Sequence, residues 1–135
     1  MDHKMAYSSL ISQGLKSCSK NEGGDIVATF SFPAESMVFK GHFPVKPILP
    51  GVAQLEAVKY MIEQSLSCKC RLQQSTSIKF FQPILPNQDF TFIARCKNIG
   101  DGLLDVRCKG TAGDSNAKST EIIARYKIDD ATQKK

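Results

Sequence analysis

The sequence has only two histidines, no long apolar run, no internal repeat and no low-complexity segment. No apolar stretch approaches the ~18 residues that a membrane-spanning helix needs. The N-terminal stretch MDHKMAYSSLISQ also lacks the apolar core of a secretory signal peptide. We therefore expect a cytoplasmic protein that has no contact with a membrane.

The chain of 135 residues is long enough for one domain with its own hydrophobic core. Its hydrophobic content of 41% and charged content of 23% are typical of a globular protein. We predict a single domain over residues 1–135, with flexible tails at 1–7 and 130–135.

The five cysteines are an odd number and lie scattered along the chain. Without an export signal, this pattern indicates free thiols in a reducing compartment. Cys68 and Cys70 are spaced as CxC, but no histidine stands near them in the sequence. A metal site there is a weaker interpretation than two ordinary thiols, so we predict no metal.

The net charge of +5 is unevenly distributed. Residues 1–67 carry six lysines and six acidic residues, whereas residues 68–135 carry twelve basic and seven acidic residues. A solvated basic face and a docking surface for an acidic partner both explain this excess. Nucleic acid is a poor candidate for that partner, because no dense basic run is interleaved with aromatic residues.

Alternating apolar residues predict five strands, at 25–32, 77–85, 89–96, 103–110 and 120–128. Residues 8–20 are interpreted as a further strand, with a short helix as the alternative. Short polar connections such as NIGDG and AGDSN are typical of antiparallel hairpins.

The stretch from Gly51 to Leu66 predicts one long helix that begins after Pro50. The residues at helical spacing are Val52, Leu55, Lys59, Ile62 and Leu66. All of them are apolar except Lys59, which is a polar interruption. A single apolar helix needs a partner surface, and a curved antiparallel sheet can wrap it. We therefore predict an α+β fold whose exposed sheet edge pairs with a second copy of the chain.

His42 lies in the rigid segment GHFPVKPILPGV, which precedes the predicted helix. A histidine there could act as a base near neutral pH, although a turn histidine satisfied by the backbone is the simpler interpretation. Gly51 stands at the start of the helix, where backbone N–H groups are unpaired and the absence of a side chain admits a ligand.

Glu56 shares a helix face with Val52, Ala53 and Tyr60. An unpaired carboxylate among apolar groups is costly, so this carboxyl group is a candidate general acid. A base, an acid and a donor for a developing oxyanion together suit removal of a proton next to a carbonyl with loss of a hydroxyl group.

Two stretches resemble the bacterial 3-hydroxyacyl-[acyl carrier protein] dehydratases, a hot-dog fold family of type II fatty acid synthesis. GHFPVKPILPGVAQLEA contains the His-Phe-Pro turn, the Pro-Gly-Val turn and a glutamate fourteen residues after the histidine. IKFFQPILPNQDF is similar to the family's second motif, although Asn87-Gln88-Asp89 replaces Gly-Asp. The resemblance covers roughly residues 25–132 and implies a hot-dog fold, an antiparallel sheet wrapped around one long central helix.

The resemblance also implies a role for each motif residue. His42 would move the α-proton, and Glu56 would assist departure of the 3-hydroxyl group. The Gly51 amide would polarise the thioester carbonyl, and the Ile48 carbonyl would hold the His42 ring. The remaining substrate-binding candidates are Val52 and Phe43.

In the family, the substrate is an acyl chain on the phosphopantetheine of an acidic carrier protein, and no other cofactor is used. Each active site lies between two subunits, so the resemblance implies a homodimer, or a trimer of dimers, with shared sites. The carrier protein would dock on basic residues, for which the candidates are Lys69, Arg71 and Lys79.

The chain departs from the family pattern in two further places. Val45 replaces the glycine that usually follows His-Phe-Pro, and the usual N-terminal Pro-His-Arg-Tyr-Pro-Phe-Leu segment is missing. These differences favour a branch that serves a specialised acyl or polyketide pathway. Glutamate at position 56, where aspartate would accompany isomerisation, favours dehydration alone.

Two other functions fit the same fold. A hot-dog thioesterase would use a carboxylate and a water molecule, and the His-Phe-Pro turn argues against it. A non-catalytic module that binds acyl carrier protein would need a degenerate site, whereas both catalytic positions are intact here.

Overall fold

The structure is a computed structural model that describes residues 9–39, 48–114 and 117–129. The predicted tails at 1–7 and 130–135 lie outside the described residues, and the single-domain assignment stays a prediction. No helix among the described residues is both long and apolar enough to cross a membrane.

Six strands and one long helix form the described part of the chain. The helix α1 spans Gly51–Leu66, and a short 3-10 helix spans Met37–Phe39. The strands are β1 (Leu15–Lys20), β2 (Ile26–Phe30), β3 (Cys70–Phe80), β4 (Phe90–Gly100), β5 (Leu103–Ala112) and β6 (Ala117–Ile128).

The six strands make one sheet in the order β1-β2-β4-β5-β6-β3, and every neighbouring pair is antiparallel. Helix α1 packs against strands β1, β2 and β3. The α+β prediction is therefore confirmed. Strands β1 and β3 are the two edges of this sheet.

The alternating residues predicted to face the core do so. On β2 and just beyond it, Ile26, Ala28, Phe30 and Phe32 are all buried. Phe30 faces Phe90 of β4 across the ladder, and their ring centroids lie 5.5 Å apart. Aromatic side chains remove large apolar areas from water, so this cluster fixes the register of the two strands.

The prediction of the helix face was wrong by about one residue. Val52, expected on the apolar face, is 54% exposed, whereas Ala53 and Ala57 are fully buried. Val58, Met61 and Ile62 complete the buried side. The small alanine side chains let the helix lie close to the sheet, which a pattern search for large apolar residues does not detect.

Two element boundaries also differ from the prediction. Residues 9–13 are helical and only Leu15–Lys20 form a strand, so the interpretation of 8–20 as one strand was wrong. The strand predicted at 77–85 begins at Cys70 and ends at Phe80. Its first half alternates poorly because six consecutive residues, 71–76, are exposed at the sheet edge.

The helix contact predicts a specific cost for adding volume at its centre. We expect Ala57→Leu to lower the free energy of unfolding by about 1–3 kcal/mol, because the extra carbons have no space between helix and sheet. Chemical denaturation measures the difference. The control is Gln64→Leu at an exposed position of the same helix, which should stay within about 0.5 kcal/mol of the parent. Equal effects of the two substitutions would contradict the packing.

Candidate functional site

The structure describes part of the predicted site. His42, Phe43 and Val45 lie outside the described residues. The roles predicted for His42 and Phe43, and the contact of the Ile48 carbonyl with the histidine ring, therefore stay predictions. The described part begins at Ile48 and continues into helix α1.

The first turn of α1 presents backbone donors. The N–H groups of Ala53 and Gln54 donate to the carbonyl of Pro50, at 3.1 and 3.2 Å. The N–H of Gly51 has no acceptor among the described residues, and no side chain caps this end of the helix. The positive end of the helix dipole therefore coincides at Gly51 with a donor that no described residue accepts from.

The Phe80 ring packs against the backbone of Gly51. A Cβ atom at position 51 would lie 2.8 Å from Cζ of the Phe80 ring, so the ring would have to shift. Because Phe80 is 50% exposed, that shift is possible and the contact alone does not require glycine. The predicted role of the Gly51 amide stays a prediction.

A cavity of about 410 Å³ opens at the same end of the helix. The segment after β3 forms one wall and is held by two backbone hydrogen bonds, Leu49 N–H to the Ile84 carbonyl and Phe81 N–H to the Ser119 carbonyl, both 2.8 Å. The cavity is lined by Ile48, Leu49, Pro50, Gly51, Gln54, Phe80, Phe81, Gln82 and Pro83. Ile48 and Gly51, both predicted site residues, are thus brought together.

Glu56 lines a different groove, of about 120 Å³. Its neighbours there include Lys59, Tyr60, Glu63 and Lys69. The surroundings of Glu56 are therefore mixed rather than apolar as predicted, because charged residues and the buried Ile11 line the same groove. The Glu56 side chain is half-buried there.

A single chain does not bring the predicted donor and acid together. Gly51 and Glu56 line separate cavities. Five residues of α-helix correspond to a rise of about 7.5 Å and a rotation of about 140°, so the two residues face different directions. Val52, predicted to bind substrate, is largely exposed and does not line the Gly51 cavity.

The three basic candidates for carrier docking are also separated. Lys69 and Arg71 stand at the start of β3, and Lys79 stands near its end. Eight residues of strand span about 26 Å, so a single protomer does not place Arg71 and Lys79 in one patch. Only Lys79 lies next to Phe80 and the Gly51 cavity.

A basic cluster surrounds Lys79. Glu121 of β6 lies opposite Lys79 across one ladder and opposite Lys109 across the other. Lys118 Nζ donates to Glu121 at 2.8 Å, and this hydrogen bond and the lysine charges lower the pKa of Glu121. Lys118 Nζ also lies 5.0 Å from the centre of the Phe81 ring. The three lysines, Lys79, Lys109 and Lys118, outnumber Glu121, so the surface beside the cavity mouth has a net positive charge.

The cysteines are not poised for chemistry. All five are free, and no group of three or more potential metal ligands occurs within residues 9–39, 48–114 and 117–129. Burial raises the pKa of the Cys70 thiol to about 12 and that of Cys96 to about 11. These thiols stay protonated near neutral pH and are therefore poor nucleophiles.

Sequence reasoning missed Gln54. Its side chain is 3% exposed, lines the Gly51 cavity and accepts a hydrogen bond from Thr120 Oγ1 at 2.6 Å. The available signal was a polar residue three positions after Gly51, within an otherwise apolar stretch.

The chain matches a known protein family. Residues 18–120 match the ApeI-like family, described as ApeI dehydratase. The chain belongs to this dehydratase family. The match includes the segment that carries His42, Gly51 and Glu56.

Solved structures confirm the hot-dog fold. The dehydratase heterocomplex ApeI:P from Xenorhabdus doucetiae matches with a TM-score of 0.66 and 20% identity, over 84% of this chain and 96% of that chain. The (R)-hydratase of A. caviae involved in PHA biosynthesis matches with a TM-score of 0.64 and 13% identity, over 78% of this chain and 94% of that chain. A hypothetical thioesterase from Streptococcus pneumoniae TIGR4, solved with coenzyme A, matches with a TM-score of 0.63 and 14% identity, over 93% of this chain and 95% of that chain. The recognition of a hot-dog dehydratase family from the sequence motifs is thereby confirmed.

Proposed function

We propose that this protein dehydrates 3-hydroxyacyl thioesters, carried by an acyl carrier protein, to trans-2-enoyl thioesters. The observation that carries the proposal is the dehydratase family match over residues 18–120, which spans all three predicted catalytic positions. The N–H of Gly51, which has no acceptor in the part of the chain that the structure describes, supports it, because a thioester carbonyl needs such a donor when its α-proton is removed.

The proposed reaction uses three groups. A nitrogen of His42 takes the proton from C2, and the thioester carbonyl oxygen gains charge that the Gly51 N–H stabilises. The bond from C3 to oxygen then breaks as Glu56 donates a proton, so the hydroxyl group leaves as water and the C2–C3 double bond forms. Proton exchange with solvent restores His42 and Glu56. The Ile48 carbonyl would orient the imidazole ring, and Phe43 and Val52 would contact the substrate.

The separation of Gly51 from Glu56 favours a site shared between two copies. Strand β3 is an unpaired edge whose residues 71–76 are exposed, with Leu72 and Phe80 among the exposed apolar side chains. Such an edge is a template for another strand. We propose that β3 pairs antiparallel with β3 of a second copy.

This pairing would complete the site. In an antiparallel pair, the Phe80 end of one strand lies beside the Cys70 end of the other. Phe80 lines the Gly51 cavity, and Lys69, next to Cys70, lines the Glu56 groove. The Gly51 cavity of one copy would then adjoin the Glu56 groove of the second. The same pairing would bring the basic residues at the two ends of β3 into one patch for an acidic carrier protein.

The partner across β3 is proposed to be a second copy, in a dimer or a trimer of dimers. The name of the Xenorhabdus doucetiae structure describes a heterocomplex of ApeI with another chain. A different hot-dog chain is therefore the alternative occupant of this edge. Size-exclusion chromatography of the isolated chain distinguishes the two, because only self-pairing gives a dimer from this chain alone.

A thioesterase is the second candidate function. It is favoured by the Streptococcus pneumoniae structure, which covers 93% of this chain and was solved with coenzyme A. On this fold, Glu56 would activate a water molecule that attacks the thioester carbonyl, and the Gly51 N–H would stabilise the tetrahedral oxyanion. A module that binds acyl carrier protein without turnover is the remaining alternative.

The reaction product separates these functions. Incubation with a 3-hydroxyacyl-[acyl carrier protein] should give the enoyl thioester, detected by mass spectrometry. Free carrier thiol would indicate the thioesterase, and binding without any product would indicate the module. We expect His42→Ala and Glu56→Gln each to lower the rate by a factor of about 100 or more, because each removes a proton-transfer group.

The folded state of each variant is checked by circular dichroism, so that loss of activity is not confused with loss of structure. The other histidine of the chain, His3, lies near the N-terminus, so the motif contains no second histidine that could replace His42. A folded His42→Ala protein with near-normal turnover would contradict the mechanism.

Carrier binding is expected to depend on salt. The basic cluster at Lys79 is exposed, and charges at a surface are screened over about 8 Å at physiological ionic strength. Raising the salt concentration should weaken the affinity for an acidic holo acyl carrier protein. Lys79→Glu should weaken it by about tenfold at low salt, since exposed charge pairs in contact are each worth about 1 kcal/mol.

The matched control is Lys97→Glu, because Lys97 is exposed on β4, three strands away from β3. Lys97→Glu has the same net charge as Lys79→Glu. We expect it to bind the carrier protein more tightly than Lys79→Glu does. Fluorescence anisotropy of a labelled carrier measures both affinities. An affinity that is independent of salt, or equal losses in the two variants, would rule out docking at the Lys79 cluster.

A further inference from the structure

A buried polar group lies at the Gly51 cavity and is not used by the mechanism above. Gln54 stands one helical turn after Gly51 and is 3% exposed. Its Oε1 accepts from Thr120 Oγ1 at 2.6 Å, and Thr120 Oγ1 lies 3.1 Å from Ser119 Oγ. Both hydroxyl residues of β6 are fully buried. The side chain of Gln54 is therefore held at its oxygen end.

The nitrogen end of Gln54 has no acceptor among the described residues. A glutamine amide has two N–H donors besides its oxygen. Because Thr120 fixes the oxygen, Nε2 lies at the other end of the amide, and the residue lines the cavity. A buried donor without an acceptor costs free energy, so a hydrogen bond from Nε2 to a group that enters the cavity would recover that cost.

Two donors without an acceptor among the described residues thus belong to residues that line one cavity. Gly51 carries a backbone N–H at the positive end of α1, and Gln54, one turn later, carries the Nε2 amide group. Phe80 and Phe81 form the apolar part of the wall. Paired donors beside an apolar wall suit an oxygen that becomes negatively charged during a reaction, because such donors need no reorganisation.

We propose that Gln54 Nε2 is a second donor, beside the Gly51 N–H, to the carbonyl oxygen of the thioester. This proposal deepens the function above and rests on it for the reaction, but the donor pair would serve any thioester chemistry at this cavity. Thr120 acts as a positioning residue, since its hydroxyl group holds the amide oxygen and thereby turns Nε2 away from the sheet. Ser119 in turn contacts the Thr120 hydroxyl group.

Gln54→Leu removes the donors and keeps a similar volume. We expect kcat for hydration of an enoyl thioester to fall by about 10²–10³-fold, the range for loss of one oxyanion donor. KM should change little, because the bond strengthens mainly in the transition state. Thr120→Val should lower kcat by about fivefold, the worth of one hydrogen bond. Gln13→Leu, at an exposed position outside the cavity, is the control and should leave kcat unchanged.

A spectroscopic readout separates contact with substrate from a structural role. The probe is a saturated acyl-pantetheine thioester labelled with ¹³C at its carbonyl. Its carbonyl stretch should move to lower frequency on binding to the wild-type protein, and this shift should shrink with Gln54→Leu. The thioether analogue, with CH₂ in place of the carbonyl, should bind both proteins equally.

Two results for the Gln54→Leu protein would overturn the proposal. The first is a kcat within about twofold of the parent. The second is an equal loss of affinity for the thioester and for its thioether analogue. If Gln54→Leu fails to fold, a wild-type carbonyl stretch equal to that in water is sufficient to reject it. If the wild-type protein gives no enoyl product but the Gln54-dependent shift is present, the proposed dehydratase function fails and the role of Gln54 stands.

Discussion

The close packing of helix α1 on the sheet is the contact on which the rest of the structure depends. Fully buried Ala53 and Ala57 let the helix approach the strands, and Val58, Met61 and Ile62 fill the space beyond them. This packing fixes the rotation of the helix about its axis. It therefore also fixes which residues face the core, which face the Gly51 cavity and which face outward, as Glu56 does.

The fold follows from the sequence largely because four strands, β2, β4, β5 and β6, each bury one side. Ile26, Ala28, Phe30 and their counterparts on β4, β5 and β6 alternate as predicted, and the helix bounds at Gly51 and Leu66 agree with the structure. The helix face was missed because small residues carry the contact. The start of β3 was missed because an edge strand that is exposed on both faces has no alternation to detect.

The site was predictable only in part. The motif identified the family and predicted a role for Gly51, which lines a cavity at the N-terminus of α1. The surroundings of Glu56 were not predictable, because they depend on the helix rotation and on Lys69, which lies just before the following strand. The hydrogen bond from Thr120 to Gln54 joins residues 66 positions apart, and no local pattern reports it.

We propose that one copy of the chain supplies His42 and Gly51 while a second copy supplies Glu56. Co-expression of a His42→Ala chain with a Glu56→Gln chain, carrying different tags, tests it most directly. About half of randomly formed dimers are mixed, and each contains one site with intact His42 and Glu56, so about a quarter of wild-type activity should return. Purified mixed dimers that are as inactive as the two parents would contradict the shared site.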